Sequence, residues 1–260
     1  MKKHINEFIK KKGKSKIVCL TAYSKNVAKI LDGHCDLILV GDSVANVLYG
    51  MKNTHSINLD IMIKHATSVK TGVKKSLVVV DMPKDSYKNI TDAKRNAKKI
   101  IKQTKCDAIK LESNGKNHSI IKELVKINIP VMGHIGFTPQ FYKNFKVKGR
   151  TRSEERILIK EAKLIERAGA FSMVIECIAA NAAKNITNSI KIPTIGIGSS
   201  KYCDGQILVT DDILGLSGFY PKFVKKYTNL SNIIKNVVIK YKKEVIKKKF
   251  PTKKIVINYE

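Results

Sequence analysis

The sequence predicts an α/β protein, a single-domain (β/α)8 barrel of the TIM type, and three observations predict it. Eight short, β-branched apolar runs recur along the 260 residues. Helix-length segments with a period of about 3.6 residues separate most of them. No G-x-G-x-x-G turn follows the first run, as an open doubly wound nucleotide-binding sheet would show. Alternation of eight strands with helices, in a chain of this length, closes most naturally into one barrel.

The strand candidates are KIVCLTAY from Lys16, LILVGDS from Leu37, SLVVVDMP from Ser76 and DAIKLES from Asp107. They continue with IPVMGHIG from Ile129, FSMVIECI from Phe171, IPTIGIGSS from Ile192 and QILVTDDIL from Gln206. Helical periodicity covers Asp60–Val73, Thr91–Thr104 and Ser153–Ala168. Ser153 reads as the N-cap of the last of these, and Gly169 as its stop. The segment between the seventh and eighth strands is too short for a helix. Gly196-Ile197-Gly198 only partly echoes a phosphate loop; a tight turn or close packing explains it equally well, and no ligand is assigned. The lysine-rich stretch Asn232–Phe250 reads as a terminal helix with an apolar seam, suited to cover the barrel or meet a neighbouring subunit. Residues 1–260 are therefore expected to form one barrel domain, with 228–260 as a C-terminal helix and tail.

A formal charge of +29 invites a nucleic-acid partner, but only five of the 50 basic residues are Arg. Base-reading sites favour the bidentate guanidinium, and here Lys is spread over nearly every predicted helix. The charge reads as solvated surface, with no dedicated nucleic-acid partner. Five cysteines without a C-x-x-C pair point to incidental reduced thiols. No signal-peptide pattern follows the basic N-terminus, and no run approaches the roughly 18 apolar residues of a membrane span. The expected location is the cytoplasm.

In such barrels the chemistry sits at the C-terminal ends of the strands. Those ends carry Asp42, Asp81, Glu112, His134 and Glu176, each on a different strand. Strand alternation groups Val40 with Asp42, Val79 with Asp81, and Lys110 with Glu112. If that face points inward, carboxylates and one lysine converge above the core. Singly, each acid has a structural alternative: a turn cap for Asp42, a turn residue for Asp81, a pair with Lys110 for Glu112. His134 is open between a core histidine bonded to backbone and a site residue. Together, several buried carboxylates would repel unless a cation joined them. Oxygen-only donors suit a hard ion such as Mg²⁺, which keeps positions for water and substrate oxygens. Lys110 beside it suits a substrate carboxylate, so the site suits a chelated 2-oxo acid. Glu176, across the barrel in strand order, is then the natural general base.

The motifs VGDS, VVVDMP, AIKLE, PVMGHIGFTPQ, VIECI, IPTIGIGS and DGQILVTDDILGL, in this order, resemble the ketopantoate hydroxymethyltransferase family. The resemblance implies a barrel of the phosphoenolpyruvate/pyruvate type assembled as a homodecamer. It implies transfer of a hydroxymethyl group from 5,10-methylenetetrahydrofolate to 3-methyl-2-oxobutanoate through a Mg²⁺-stabilised enolate, giving 2-dehydropantoate for pantothenate biosynthesis. It places the metal ligands at Asp42, Asp81 and Glu112, substrate contacts at Asp42, Ser43, Asp81 and Lys110, and the proton acceptor at Glu176. The chain departs from the family pattern at Val44-Ala45-Asn46, at Lys84 and in the tail Thr252–Glu260. Two alternatives are weighed beside it: a Mg²⁺-dependent C–C lyase on a related 2-oxo acid, and a nucleic-acid-binding protein.

Overall fold

A computed structural model describes residues 3–142, 144–218 and 220–252. In chain order they form α1 (Lys3–Ile9), β1 (Ile17–Thr21), α2 (Lys25–Leu31), β2 (Leu37–Val40), α3 (Val44–Val47) and α4 (Leu59–Gly72). Next come β3 (Leu77–Asp81), α5 (Ile90–Thr104), β4 (Ala108–Glu112), α6 (His118–Lys126), β5 (Val131–Gly136) and α7 (Arg152–Arg167). The series ends with β6 (Ser172–Glu176), α8 (Ala180–Ser189), β7 (Thr194–Ile197), β8 (Gly205–Leu208), α9 (Thr210–Leu214) and α10 (Leu230–Ile246). Each strand pairs in parallel with the next, and β8 returns to β1, closing the barrel. All eight expected runs are strands. Only bends and turns join β7 to β8.

The strands are apolar throughout because both their faces are covered. Ile17, Cys19, Leu37, Leu39, Leu77, Val79, Ala108, Met132, Val174, Ile195 and Ile207 fill the barrel interior. Ile5 and Phe8 of α1 join that cluster, with Phe8 edge-on to Phe171 at 5.8 Å between ring centroids. Since Phe171 immediately precedes β6, α1 plugs the N-terminal mouth and leaves the opposite mouth for chemistry. The alternate residues Ile38, Val40, Val78, Val80, Ile109, Leu111 and Ile175 pack outward with Met62, Ala66, Ala97, Leu124 and Ile165 of the helices.

Helix α7 corrects one expectation. Its N-cap is Thr151, whose extended backbone (φ −113°, ψ 157°) precedes the helix and whose hydroxyl accepts the Glu154 N–H at 3.2 Å. Thr151-Arg152-Ser153-Glu154 is the T-x-x-E capping pattern, so Ser153 already lies inside the first turn. Gly169 ends the helix at φ +93°, a left-handed conformation that favours glycine.

Barrel closure is tied at the β7–β8 turn. The buried Asp204 carboxylate accepts from the Thr194 N–H (2.8 Å), the Thr194 hydroxyl (3.0 Å), the Gly13 N–H (3.3 Å) and the Lys12 ammonium (2.8 Å). Beside it, a Cβ on Gly205 would stand 2.5 Å from the Ile17 carbonyl oxygen and 2.7 Å from Ile17 Cβ. Gly205→Ala is therefore expected to lower stability by about 1–3 kcal/mol, as overpacking does. A urea midpoint equal to wild type would show that the β1–β8 seam yields freely. Gly196 is likewise a packing glycine, with Gln206 Nε2 3.0 Å and Cys203 Sγ 3.1 Å from its ideal Cβ position.

The described chain forms two compact units, 1–210 and 211–260. The first holds all eight strands; the second holds α10, none of whose side chains is buried. Most of the Thr252–Glu260 tail lies outside the described residues. No described helix is long and apolar enough to cross a membrane.

Candidate active site

Parallel register brings the strand-end groups side by side. Asp81 pairs with Lys110, Glu112 with His134, and Gly136 with Glu176. Lys110 and Glu112, two residues apart on β4, share the inward face, as do Val79 and Asp81 on β3. Val40 does not share a face with Asp42. It ends β2 pointing outward among the helices, and Asp42 enters the mouth only because the chain leaves the strand at Gly41. The Asp42 N–H then donates to Asp81 Oδ2 at 3.0 Å.

The first half of the site is a buried ionic cluster. Lys110 Nζ lies 2.7 Å from Asp81 Oδ1, both side chains being 5 % exposed or less. Burial and repulsion from Asp81 and Glu112 push the Asp42 carboxyl up to about 8, against Lys110 and Gln140, which hold it down. Burial pulls the Lys110 ammonium down, but Asp81, Glu112 and Asp42 together outweigh it and raise its pKa. The second half is Glu176 with His134. Nε2 of the His134 ring is 3.2 Å from Glu176 Oε2, and Nδ1 is 3.6 Å from Glu112 Oε1. Burial and Lys110 favour neutral imidazole, whereas Glu112 and Glu176 prevail and raise His134 to about 9. The His134 ring thus lies between the two halves, within ion-pair distance of both carboxylates, although neither nitrogen makes a hydrogen bond of normal geometry; the backbone-bonded reading of it is set aside. Glu176 lies on β6, apart from the Asp42, Asp81 and Glu112 cluster, and the imidazole meets one of its oxygens.

Backbone geometry fixes the Glu176 end. Its carbonyl accepts the Phe137 N–H at 2.9 Å, and a Cβ on Gly136 (φ +97°) would lie 2.1 Å from that carbonyl oxygen. Cys177 follows in the left-handed region at φ 51°, its N–H bound to the Ile197 carbonyl at 2.9 Å. Ser43 stands beside Asp42, its hydroxyl 2.8 Å from the Tyr23 phenol.

Gln140 and Tyr87 are site residues that the titratable strand-end pattern does not reveal. The Gln140 N–H donates to Glu112 Oε2 at 2.9 Å, and its side-chain amide donates to Asp42 Oδ2 at 2.8 Å and to the Met82 carbonyl at 3.0 Å. The Tyr87 phenol donates to Gln140 Oε1 at 2.5 Å. The one sequence signal was the GFTPQ segment, whose amide carries no charge. The departures from the family pattern are also placed. Val44-Ala45-Asn46 opens the short α3, with Val44 and Ala45 buried, and Lys84 Nζ meets His55 Nδ1 at 3.1 Å. Because an ammonium only donates, His55 Nδ1 accepts and its Nε2–H donates to the Pro139 carbonyl at 2.9 Å.

Among the described residues, no group of three or more His, Cys, Asp or Glu side chains is placed to hold a metal ion as it stands. The Asp42, Asp81 and Glu112 oxygens face protein donors instead. The chemistry of the set nevertheless fits a hard divalent cation: it is all oxygen, and Asp42 is held towards its protonated form by its burial and then by two neighbouring acids. Asp81 Oδ1, in contact with the Lys110 ammonium, has no hydrogen bond of normal geometry.

The family profile described as Ketopantoate hydroxymethyltransferase matches residues 2–253. A 3-methyl-2-oxobutanoate hydroxymethyltransferase of Pelagibacter ubique (strain HTCC1062) is 56% identical over 254 residues, 98% of this chain and 99% of the relative. Its counterpart from Anaplasma marginale (strain Florida) is 49% identical over 244 residues, covering 93% and 88%. Among solved structures, 2,3-dimethylmalate lyase, a PEP mutase/isocitrate lyase superfamily member, superposes with a TM-score of 0.62 at 12% identity, covering 98% of this chain and 89% of the other. That likeness carries the barrel fold alone. Matched along nearly its whole length by the profile and by relatives of high identity, the chain belongs to the ketopantoate hydroxymethyltransferase family of transferases.

Proposed function

We propose that the protein transfers a hydroxymethyl group from 5,10-methylenetetrahydrofolate to 3-methyl-2-oxobutanoate, giving 2-dehydropantoate in pantothenate biosynthesis. The names of its relatives supply the acceptor and the reaction class. The observation that carries the mechanism is the meeting, at one barrel mouth, of a three-carboxylate cluster with Lys110 and a separate Glu176 beside His134. Asp42, Asp81 and Glu112 would hold one Mg²⁺ per subunit. When bound, Mg²⁺ supplies Lewis-acid polarisation of the substrate ketone and stabilisation of the negative charge that develops there, worth several kcal/mol.

The chain's own residues do the rest. Lys110 binds the substrate carboxylate, with Ser43, Asp42 and Asp81 completing its contacts. Glu176 takes the C3 proton through the oxygen turned away from His134, which orients the carboxylate. The C3 carbon then bonds to the folate-borne methylene as the two methylene–nitrogen bonds break; water supplies the hydroxyl, and the C3 proton and the other water proton go to the two folate nitrogens. The resemblance further supports a homo-oligomer, a decamer, working in the cytoplasm, with no dedicated nucleic-acid or membrane partner. Neither the lyase nor the nucleic-acid reading has an observation of its own in its favour.

The test is 2-dehydropantoate formation from the two substrates. Chelation of divalent ions is expected to abolish turnover, and added Mg²⁺ to restore it. Turnover that survives exhaustive chelation would remove the metal from the scheme, and cleavage of a 2-oxo acid adduct without folate would favour the lyase.

A further inference from the structure

We propose that Gln140 is a positioning residue for the divalent cation: it sets which oxygens of Asp42 and Glu112 face the protein and which face the site. The inference rests on the magnesium reading above and extends it to a residue that carries no charge and touches no substrate in that scheme.

Four contacts converge on this 1 % exposed side chain and its backbone. Two involve candidate metal ligands, through the side-chain amide to Asp42 Oδ2 and the main-chain N–H to Glu112 Oε2. The other two fix the amide itself. The Met82 carbonyl can only accept, so it requires Nε2 on its side; Oε1 then faces Tyr87, whose phenol donates to it. A flipped amide would set Oε1 against both the Met82 carbonyl and the Asp42 carboxylate. The amide therefore has one orientation. With Oδ2 of Asp42 and Oε2 of Glu112 engaged, a cation would use Oδ1 of Asp42 and Oε1 of Glu112, the latter 3.6 Å from His134 Nδ1. Asp42 needs such a fixture most. It lies beyond the last residue of β2, outside the strand register that orders Asp81, Lys110 and Glu112. Partners that orient metal ligands typically contribute ten- to a hundred-fold to metal affinity or activity.

The experiment is Mg²⁺ titration of the full-length protein by calorimetry, with the Mg²⁺-dependent rise in melting temperature as a second readout. Gln140→Leu keeps the main-chain N–H to Glu112 and removes the hold on Asp42. Tyr87→Phe keeps the amide and removes the hydrogen bond that orients it. Gln140→Leu is expected to weaken Mg²⁺ binding about ten-fold or more, Tyr87→Phe by less, and saturating Mg²⁺ to restore most of kcat in both. If Gln140→Leu does not fold, Tyr87→Phe alone decides the question. Folded variants with wild-type Mg²⁺ affinity would overturn the role of Gln140 while leaving the metal reading intact. Wild-type protein that binds no Mg²⁺ would overturn that reading, and this inference with it.

Discussion

Glu176→Gln is expected to abolish exchange of the C3 proton of 3-methyl-2-oxobutanoate with deuterated water, while the oxo acid still binds. The amide preserves the side chain's size but cannot accept a proton at neutral pH, and a well-placed general base contributes roughly 10²–10⁴-fold. The partial reaction needs no folate, so it isolates deprotonation from carbon–carbon bond formation. Binding should persist because Lys110 and the carboxylate cluster lie on β3, β4 and the turn after β2, not on β6. Exchange at the wild-type rate in the variant would rule Glu176 out as the base.

Lys110→Met should show the second large effect, first in stability. The ammonium is the cation in direct contact with Asp81 and one of the forces restraining Asp42 from a still higher pKa. Removing one partner of a buried pair typically costs about 3–5 kcal/mol, because the remaining charge is left uncompensated. The sign with pH follows from Asp42, whose folded pKa of about 8 stands above its ordinary 3.8. A raised folded pKa gives stability that is complete below the unfolded value and is lost as pH rises through the folded one. Without Lys110 to hold Asp42 down, the metal-free variant should therefore be most stable in mild acid and weaken as pH rises through neutrality. Mg²⁺ should restore part of the loss at alkaline pH, since it binds the folded chain and not the unfolded one. Denaturation midpoints across this pH range, with and without Mg²⁺, check both statements; a midpoint independent of both would show that the carboxylates are already screened by water.

Much of this was legible in the sequence because barrel strands, buried on both faces, leave unbroken Val/Ile/Leu runs. A charge at the end of such a run stands out: Asp81, Glu112 and Glu176 each end a strand. Alternation worked where the residue belongs to the strand and failed at Asp42, which lies past the point where the period of two applies. Capping misled at Ser153 because the polar pair Thr151 and Ser153 offers two starts, and only backbone conformation separates them. Gln140 was hidden for a different reason. Its importance comes from neutral hydrogen bonds to partners at positions 42, 82, 87 and 112, and no local pattern encodes that convergence.

The latch at Asp204 also sets an order of events during synthesis. Its carboxylate joins Lys12 and Gly13 to a residue about 190 positions later, and the β1–β8 seam beside it spans a similar distance. While the ribosome is still making β7, β1 has one unpaired edge and α1 has no finished mouth to plug. An open edge of this kind invites pairing with another chain, and contacts so distant in sequence form slowly. The nascent protein is thus open to such pairing until β8 has been made and has joined β1.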